Sequence, residues 1–145
     1  METTELREHA LGEADLEGAL ALVREVGWNQ VAADWRIFFE LGAAYGLSTP
    51  SGGLVATAAT LPYPSGFGWI SMVLVAHASR RQGIATRLLG RCIAALKAGG
   101  IVPVLDATPA GREVYKPLGF RDGWPIQRWR RTASALQTAS APQVR

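Results

Sequence analysis

The spacing of apolar positions changes along the chain, and each change marks an element. In residues 13–26, Leu16, Leu20, Val23 and Val26 recur at helical spacing with Glu and Arg on the other faces, which predicts an amphipathic helix stopped by Gly27. A second helix is predicted over residues 30–42, with Trp35, Phe38, Phe39 and Leu41 on its apolar face and Gly42 at its end. Residues 43–62 read as short strands around a turn at Ser48–Gly53, which contains Pro50, Gly52 and Gly53. Pro62, Pro64, Ser65 and Gly66 mark another turn. Trp69–Ala76 is then a near-continuous apolar run, short and bounded by turn signals, as expected of a strand buried on both faces.

Helical spacing returns in residues 84–98. Ile84, Leu88, Leu89, Cys92, Ile93 and Leu96 form one face, and Gly99-Gly100 closes the helix. Ile101–Leu105 is another short apolar strand. Strand, helix and strand in this order make a βαβ unit, which brings its strands parallel. Thr108 as N-cap and Pro109 at the first helical position open a short helix that Pro117 and Gly119 end. Phe120 and residues 125–131 are expected to form final strands. Residues 132–145 are small, polar and aperiodic, and are expected to be a flexible tail or linker after a single domain of residues 1–131.

Composition narrows the class. At 145 residues, with 48% hydrophobic and 19% charged residues, the chain suits one globular domain with an ample core. No apolar run approaches the ~18–20 residues of a membrane helix, and the first residues lack a signal-peptide pattern, so a cytoplasmic location is expected. The single cysteine, Cys92, excludes an internal disulfide framework. His9 and His77 lie too far apart for a local metal motif, and no metal site is expected.

The formal net charge of +3 conceals a lopsided layout. Residues 1–40 hold nine of the twelve acids, residues 41–79 hold no charged side chain, and residues 80–145 hold twelve basic residues against Asp106, Glu113 and Asp122. The basic excess begins at Arg80-Arg81-Gln82-Gly83-Ile84-Ala85-Thr86, between the apolar run and the helix. A glycine there allows close backbone approach, and a helix N-terminus offers unpaired N–H groups and positive dipole character. Such a turn suits a pyrophosphate, with Arg80, Arg81, Arg87 and Arg91 adding charge. It can also be an ordinary turn with solvated arginines. Neither a GxxxxGK[ST] loop nor a G-x-G-x-x-G pattern is present.

Arg80-Arg81-Gln82-Gly83-Ile84-Ala85 resembles the [QR]-x-x-G-x-[GA] signature of the GNAT superfamily of acetyl-CoA-dependent N-acetyltransferases. Tyr115-Lys116-Pro117-Leu118-Gly119-Phe120, about thirty residues later, resembles the family's Y-x-x-x-G-F segment. The resemblance runs over residues 4–131. Trp69-Ile70-Ser71-Met72-Val73-Leu74-Val75 and Leu105-Asp106-Ala107-Thr108-Pro109-Ala110-Gly111, with Gly27-Trp28 and Asp34-Trp35-Arg36, resemble a subgroup in which some members carry a further C-terminal domain. A homodimer or such an extra domain is left open.

The resemblance implies an α/β (α+β) fold with a mixed, central, splayed sheet flanked by helices. It implies acetyl-CoA as co-substrate and a small amine, or an amino-acid-like amino group, as acceptor. Val73, Leu74 and Val75 would offer backbone groups to the pantetheine arm, and a backbone N–H near Val73 or Leu74 would polarise the thioester carbonyl. The amides from Arg81 to Thr86, through Gln82, Gly83, Ile84 and Ala85, would hold the pyrophosphate beside Arg80. Tyr115 would protonate the departing thiolate.

The residues themselves are less specific about the rest. Trp28 and Trp35 are candidates for the acceptor pocket, with core packing as the alternative. Glu25, Asp34 and Glu40 could attract a cationic amine or be solvated helix faces. Residues 41–79 contain no carboxylate, so the base that many family members place near the central strands is missing there, and Ser71, His77 and Asp106 are the nearby polar groups. That gap keeps a second reading open, a non-catalytic acyl-CoA-binding sensor or interaction domain. Nucleic-acid binding is disfavoured, because the arginines cluster at one turn and its helix and no standard nucleic-acid-binding pattern is present.

Overall fold

A computed structural model describes residues 5–127 and 129. Its elements run β1 (Arg7–Ala10), α1 (Leu16–Val26), α2 (Ala32–Leu41), β2 (Ala43–Ser48), β3 (Leu54–Pro62), β4 (Phe67–Val75), α3 (Ile84–Ala98), β5 (Val102–Val104) and α4 (Pro109–Tyr115). A short 3₁₀ turn, Glu13–Asp15, leads into α1, so the first helical segment begins tighter than its spacing suggests. The five strands lie in chain order, antiparallel from β1 to β4, and β4 pairs parallel with β5 across α3. The expected βαβ unit is therefore present, in a mixed sheet flanked by helices. Among the described residues, no helix is long and apolar enough to cross a membrane.

Helices cover both faces of the sheet. Leu88, Leu89 and Cys92 of α3 pack with Leu47, Ala56 and Ile70. On the opposite face, Ala19, Leu22 and Val23 of α1 and Trp35 and Phe38 of α2 pack with Ala59, Met72 and Leu74. Cys92 is wholly buried, and desolvation pushes its thiol up to about 12.

β4 differs from the expected strand. It is not sealed on both faces, because fully buried and half-buried residues alternate along it. Its faces also exchange partway. Ser71 pairs with Ala59 and Leu74 with Thr57, so Met72 and Val73 stand opposite Ala58 alone. This is a β-bulge, with Met72 in the left-handed region at φ 55°. Before it, Ile70 faces α3. After it, Val73 and Val75 face α3, while Met72 and Leu74 face α1 and α2.

The C-terminal expectation needs correction. Among the described residues, no strand follows Phe120, and Trp124 and Ile126 are exposed. Gly123 and Pro125 interrupt that stretch, and Pro125 also lacks an N–H for a ladder. Residues 128 and 130–131, and the expected tail at 132–145, lie outside the described residues.

Candidate functional site

The bulge in β4 is followed by separation of the sheet. β4 and β5 pair only at Phe67–Val102, Gly68–Pro103 and Trp69–Val104. From Ile70 to Val75, β4 keeps its β3 neighbour but, among the described residues, has no strand on its other side. Backbone groups in a strand require partners, so this open edge is a ready ladder for an extended ligand. Val73, Leu74 and Val75 all lie on it.

The chain then enters the arginine turn. A 3₁₀ turn, His77–Ser79, follows β4. Arg80 bends back, its Nε donating to the Val75 carbonyl at 3.3 Å. Arg81 takes φ 61°, a conformation that costs a non-glycine residue about 1 kcal/mol or more. Gly83 takes φ 74° as the N-cap of α3, and nothing lies within 4 Å of where its Cβ would stand. Arg80, Arg81, Gln82, Gly83 and Thr86 are exposed and Ala85 is half-buried, while the buried Ile84 side chain anchors the start of the helix in the core. The turn thus presents the first amides of a 15-residue helix outward from a fixed base.

The supporting arginines have acidic partners despite the basic excess of their own segment. Glu8 of β1 reaches Arg87 at 3.6 Å and Arg91 at 3.3 Å. The Arg91 guanidinium also lies 4.5 Å from the centre of the Tyr45 ring. Sheet pairing brings β1, remote in sequence, alongside α3. Arg80 and Arg81 remain the cations of the turn itself.

Beside the open edge is a cleft of about 330 Å³ lined by Trp28, Gln30, Asp34, Phe38, Ile70, Ser71, Met72, Val73, Leu105, Asp106 and Tyr115. Trp28, 44% exposed, is at its mouth. Asp34 lies in the first turn of α2, where its Oδ2 accepts the Val31 N–H at 2.8 Å. Asp106 follows β5. Tyr115 ends α4, a helix opened as the sequence predicted, with the Thr108 hydroxyl accepting the Gly111 N–H at 3.0 Å. Burial raises the Tyr115 phenol above its ordinary value, so it is protonated at neutral pH. Among the described residues, no Lys, Arg or His lines the cleft.

Two expectations about aromatic residues separate here. Trp28 and Phe38 line the cleft, whereas Trp35 is 0% exposed and packs in the core between α2 and the sheet. The pocket role expected of Trp35 is therefore corrected to packing: its position on α2 turns it toward the sheet. Glu25 and His77 bond to each other and neither lines the cleft. Gln30, expected at the start of the second helix, lies instead in the loop before α2 and lines the cleft.

A family model for acetyltransferases of the GNAT family matches residues 7–120. The chain belongs to the GNAT family. The ribosomal-protein-S18-alanine N-acetyltransferase of Escherichia coli has the same fold, with a TM-score of 0.76 and 19% identity over 89% of this chain and 86% of that one. A predicted acetyltransferase of Clostridium acetobutylicum, crystallised with acetyl-CoA, matches with a TM-score of 0.68 and 20% identity over 86% of this chain and 96% of that one. A GNAT-family protein of Novosphingobium aromaticivorans is 28% identical over 83% of this chain, with a TM-score of 0.68, and this chain spans 53% of its length. No curated protein matches the sequence significantly.

GNAT acetyltransferases take acetyl-CoA as co-substrate. The open edge of β4 and the left-handed Gly83 at the start of α3 fit that molecule, one offering a strand edge with no neighbouring strand among the described residues and the other a helix N-terminus without a side chain in the way.

Proposed function

We propose that this GNAT domain is an N-acetyltransferase acting on the amino group of a small or amino-acid-like acceptor by direct attack. One observation carries the reading: Tyr115, Asp34 and Asp106 line the same cleft as Ser71–Val73 of the open strand edge. A proton donor, two carboxylates and free strand backbone thus meet where an acyl group and an amine could lie together.

Acetyl-CoA supplies the acetyl group as a thioester. The amides of residues 81–86, with Arg80, hold its pyrophosphate, and the backbone of Val73, Leu74 and Val75 holds its extended arm. The amine nitrogen forms the new C–N bond as the C–S bond breaks. An N–H near Val73 or Leu74 stabilises the carbonyl oxygen, Tyr115 gives its proton to the sulfur, and Asp34 or Asp106 takes the proton released from nitrogen. Two carboxylates, with no lining cation among the described residues, also favour a positively charged acceptor.

The non-catalytic reading rested on the missing strand carboxylate. Asp34 and Asp106 supply carboxylates from outside the strands, so the catalytic reading is favoured. Acetyl-CoA turnover over a panel of amines, with CoA titrated by calorimetry, tests it. Amine-dependent release of CoA supports transfer. CoA binding without turnover of any amine supports the sensor reading, and absence of CoA binding removes the site.

A further inference from the structure

Glu25 is the penultimate residue of α1, where helix carbonyls lack partners and a carboxylate is electrostatically disfavoured. Its side chain leaves the helix and accepts the His77 backbone N–H at 2.7 Å. The His77 ring returns the contact, its Nε2 lying 3.1 Å from the Glu25 carbonyl oxygen. In the tautomer protonated at Nε2, the ring donates to that otherwise unpaired carbonyl. Fifty-two residues of sequence separate the partners.

This reciprocal pair joins two parts of the site. His77 opens the 3₁₀ turn between the free edge of β4 and the anion-binding turn. Glu25 precedes Gly27 and Trp28. The Trp28 N–H is held by the Val23 carbonyl at 3.0 Å, and the half-exposed Trp28 lines the cleft. The downstream turn passes through Arg81 at φ 61°, a costly conformation for a non-glycine residue, before Gly83 adopts its positive φ freely, so the connection depends on a fixed starting point.

We propose that Glu25 is a positioning residue: with His77 it latches α1 to the start of the cofactor turn, holding that turn in its acetyl-CoA-binding shape and the Trp28 rim in register with it. The proposal rests on the assignment of the turn to acetyl-CoA. It concerns how the site is held, since Glu25 does not line the cleft.

The test compares Glu25→Ala, Glu25→Gln and His77→Ala with the wild type. Glu25→Gln retains an oxygen that accepts the His77 N–H. CoA affinity is read by calorimetry, steady-state constants by turnover, and amide protection at residues 77–83 by hydrogen exchange without ligand. Glu25→Ala removes the side-chain bond and keeps the backbone carbonyl that faces the His77 ring, so loss of one exposed hydrogen bond predicts a CoA Kd about two- to tenfold higher, with Glu25→Gln near wild type. KM for acetyl-CoA should rise with kcat little changed, and protection at His77 should fall in Glu25→Ala but not in Glu25→Gln. Each single variant removes one bond of the reciprocal pair, so the double variant Glu25→Ala/His77→Ala should bind CoA more weakly than either single variant. Equal CoA affinity and equal protection in wild type and Glu25→Ala would overturn the latch alone. A wild type that binds no CoA would overturn the site assignment, and the latch with it.

Discussion

The Thr57 hydroxyl donates to the Met72 carbonyl at 2.7 Å inside the fold, from a residue with no exposed surface. That carbonyl belongs to the bulge that exchanges the faces of β4. The hydroxyl satisfies a group that the bulge removes from the regular ladder. Thr57→Val should leave it unpaired and cost about 1–3 kcal/mol, measured by denaturant unfolding. Thr57→Ser should recover much of the loss. CoA affinity should follow the same order, because the bulge sets where Val73 and Val75 point.

Gly83 and Gly90 form a matched pair, since neither would place a Cβ within 4 Å of another atom. Only Gly83 has positive φ. Gly83→Ala should cost about 1–2 kcal/mol through the backbone and weaken CoA binding. Gly90→Ala, inside α3, should stabilise by about 0.5–1 kcal/mol and leave CoA binding unchanged. Thermal unfolding with parallel calorimetry distinguishes the two. Equal effects would refute the conformational role of Gly83.

Tyr115→Phe removes the proposed acid while keeping the ring against Phe120, whose centroid is 6.2 Å away. The expected fall in kcat is about 10²–10⁴-fold, with CoA affinity nearly unchanged. Because burial raises the phenol, its deprotonation should limit activity only above pH of about 10. The sign for stability is the same. The native fold retains the proton where the unfolded chain loses it, so this contribution is complete below about 10 and is lost as pH rises through the higher folded value. A wild-type alkaline limb that persists in the Phe variant would assign the acid elsewhere.

Asp34 and Asp106 can be separated by their hydrogen bonds. Asp34 has a capping duty toward Val31, so Asp34→Ala should lose about 1 kcal/mol of stability as well as acceptor binding. Asp34→Asn keeps an oxygen for the cap and removes the charge. It should raise KM for a cationic amine with little change in stability. Asp106→Asn should act on turnover alone. Steady-state kinetics paired with denaturant unfolding reads both, and unchanged kinetics in both variants would remove the carboxylates from the mechanism.

Cys92 should resist alkylation in the folded protein and react once unfolded. Its thiol is pushed up to about 12 mainly by burial, with Glu8 adding to the rise and Arg91 opposing it. This contribution to stability is complete below the unfolded thiol value of about 8.5 and is lost as pH rises toward the folded one. Rapid labelling under native conditions, followed by mass spectrometry, would contradict that burial.

Much of the fold was legible because its signals are local. The spacing of Leu16, Leu20 and Val23, the run from Ile84 to Leu96, and the Thr108-Pro109 start each specify an element within a few residues. The arginine turn was legible for the same reason, since a glycine between a strand and a helix is a local device. The final strands were misjudged around Phe120–Gln127, where apolar content was present but Gly123 and Pro125 break the backbone.

What the sequence determines by itself is where the helices and the central strands lie, which side of each helix is apolar, and that a basic glycine turn joins β4 to α3; the short edge strand Arg7–Ala10 carried no such signal. Period and turn chemistry are properties of neighbouring residues. Tertiary structure decided what covers each apolar side. It buried Trp35 and left Trp28 at the cleft, brought Glu8 to Arg87 and Arg91, and placed Asp34 and Asp106 beside a strand that contains no acid. It also set the bulge at Met72 and the parting of β4 from β5. These depend on register and on contacts between residues far apart in the chain, which no local pattern encodes.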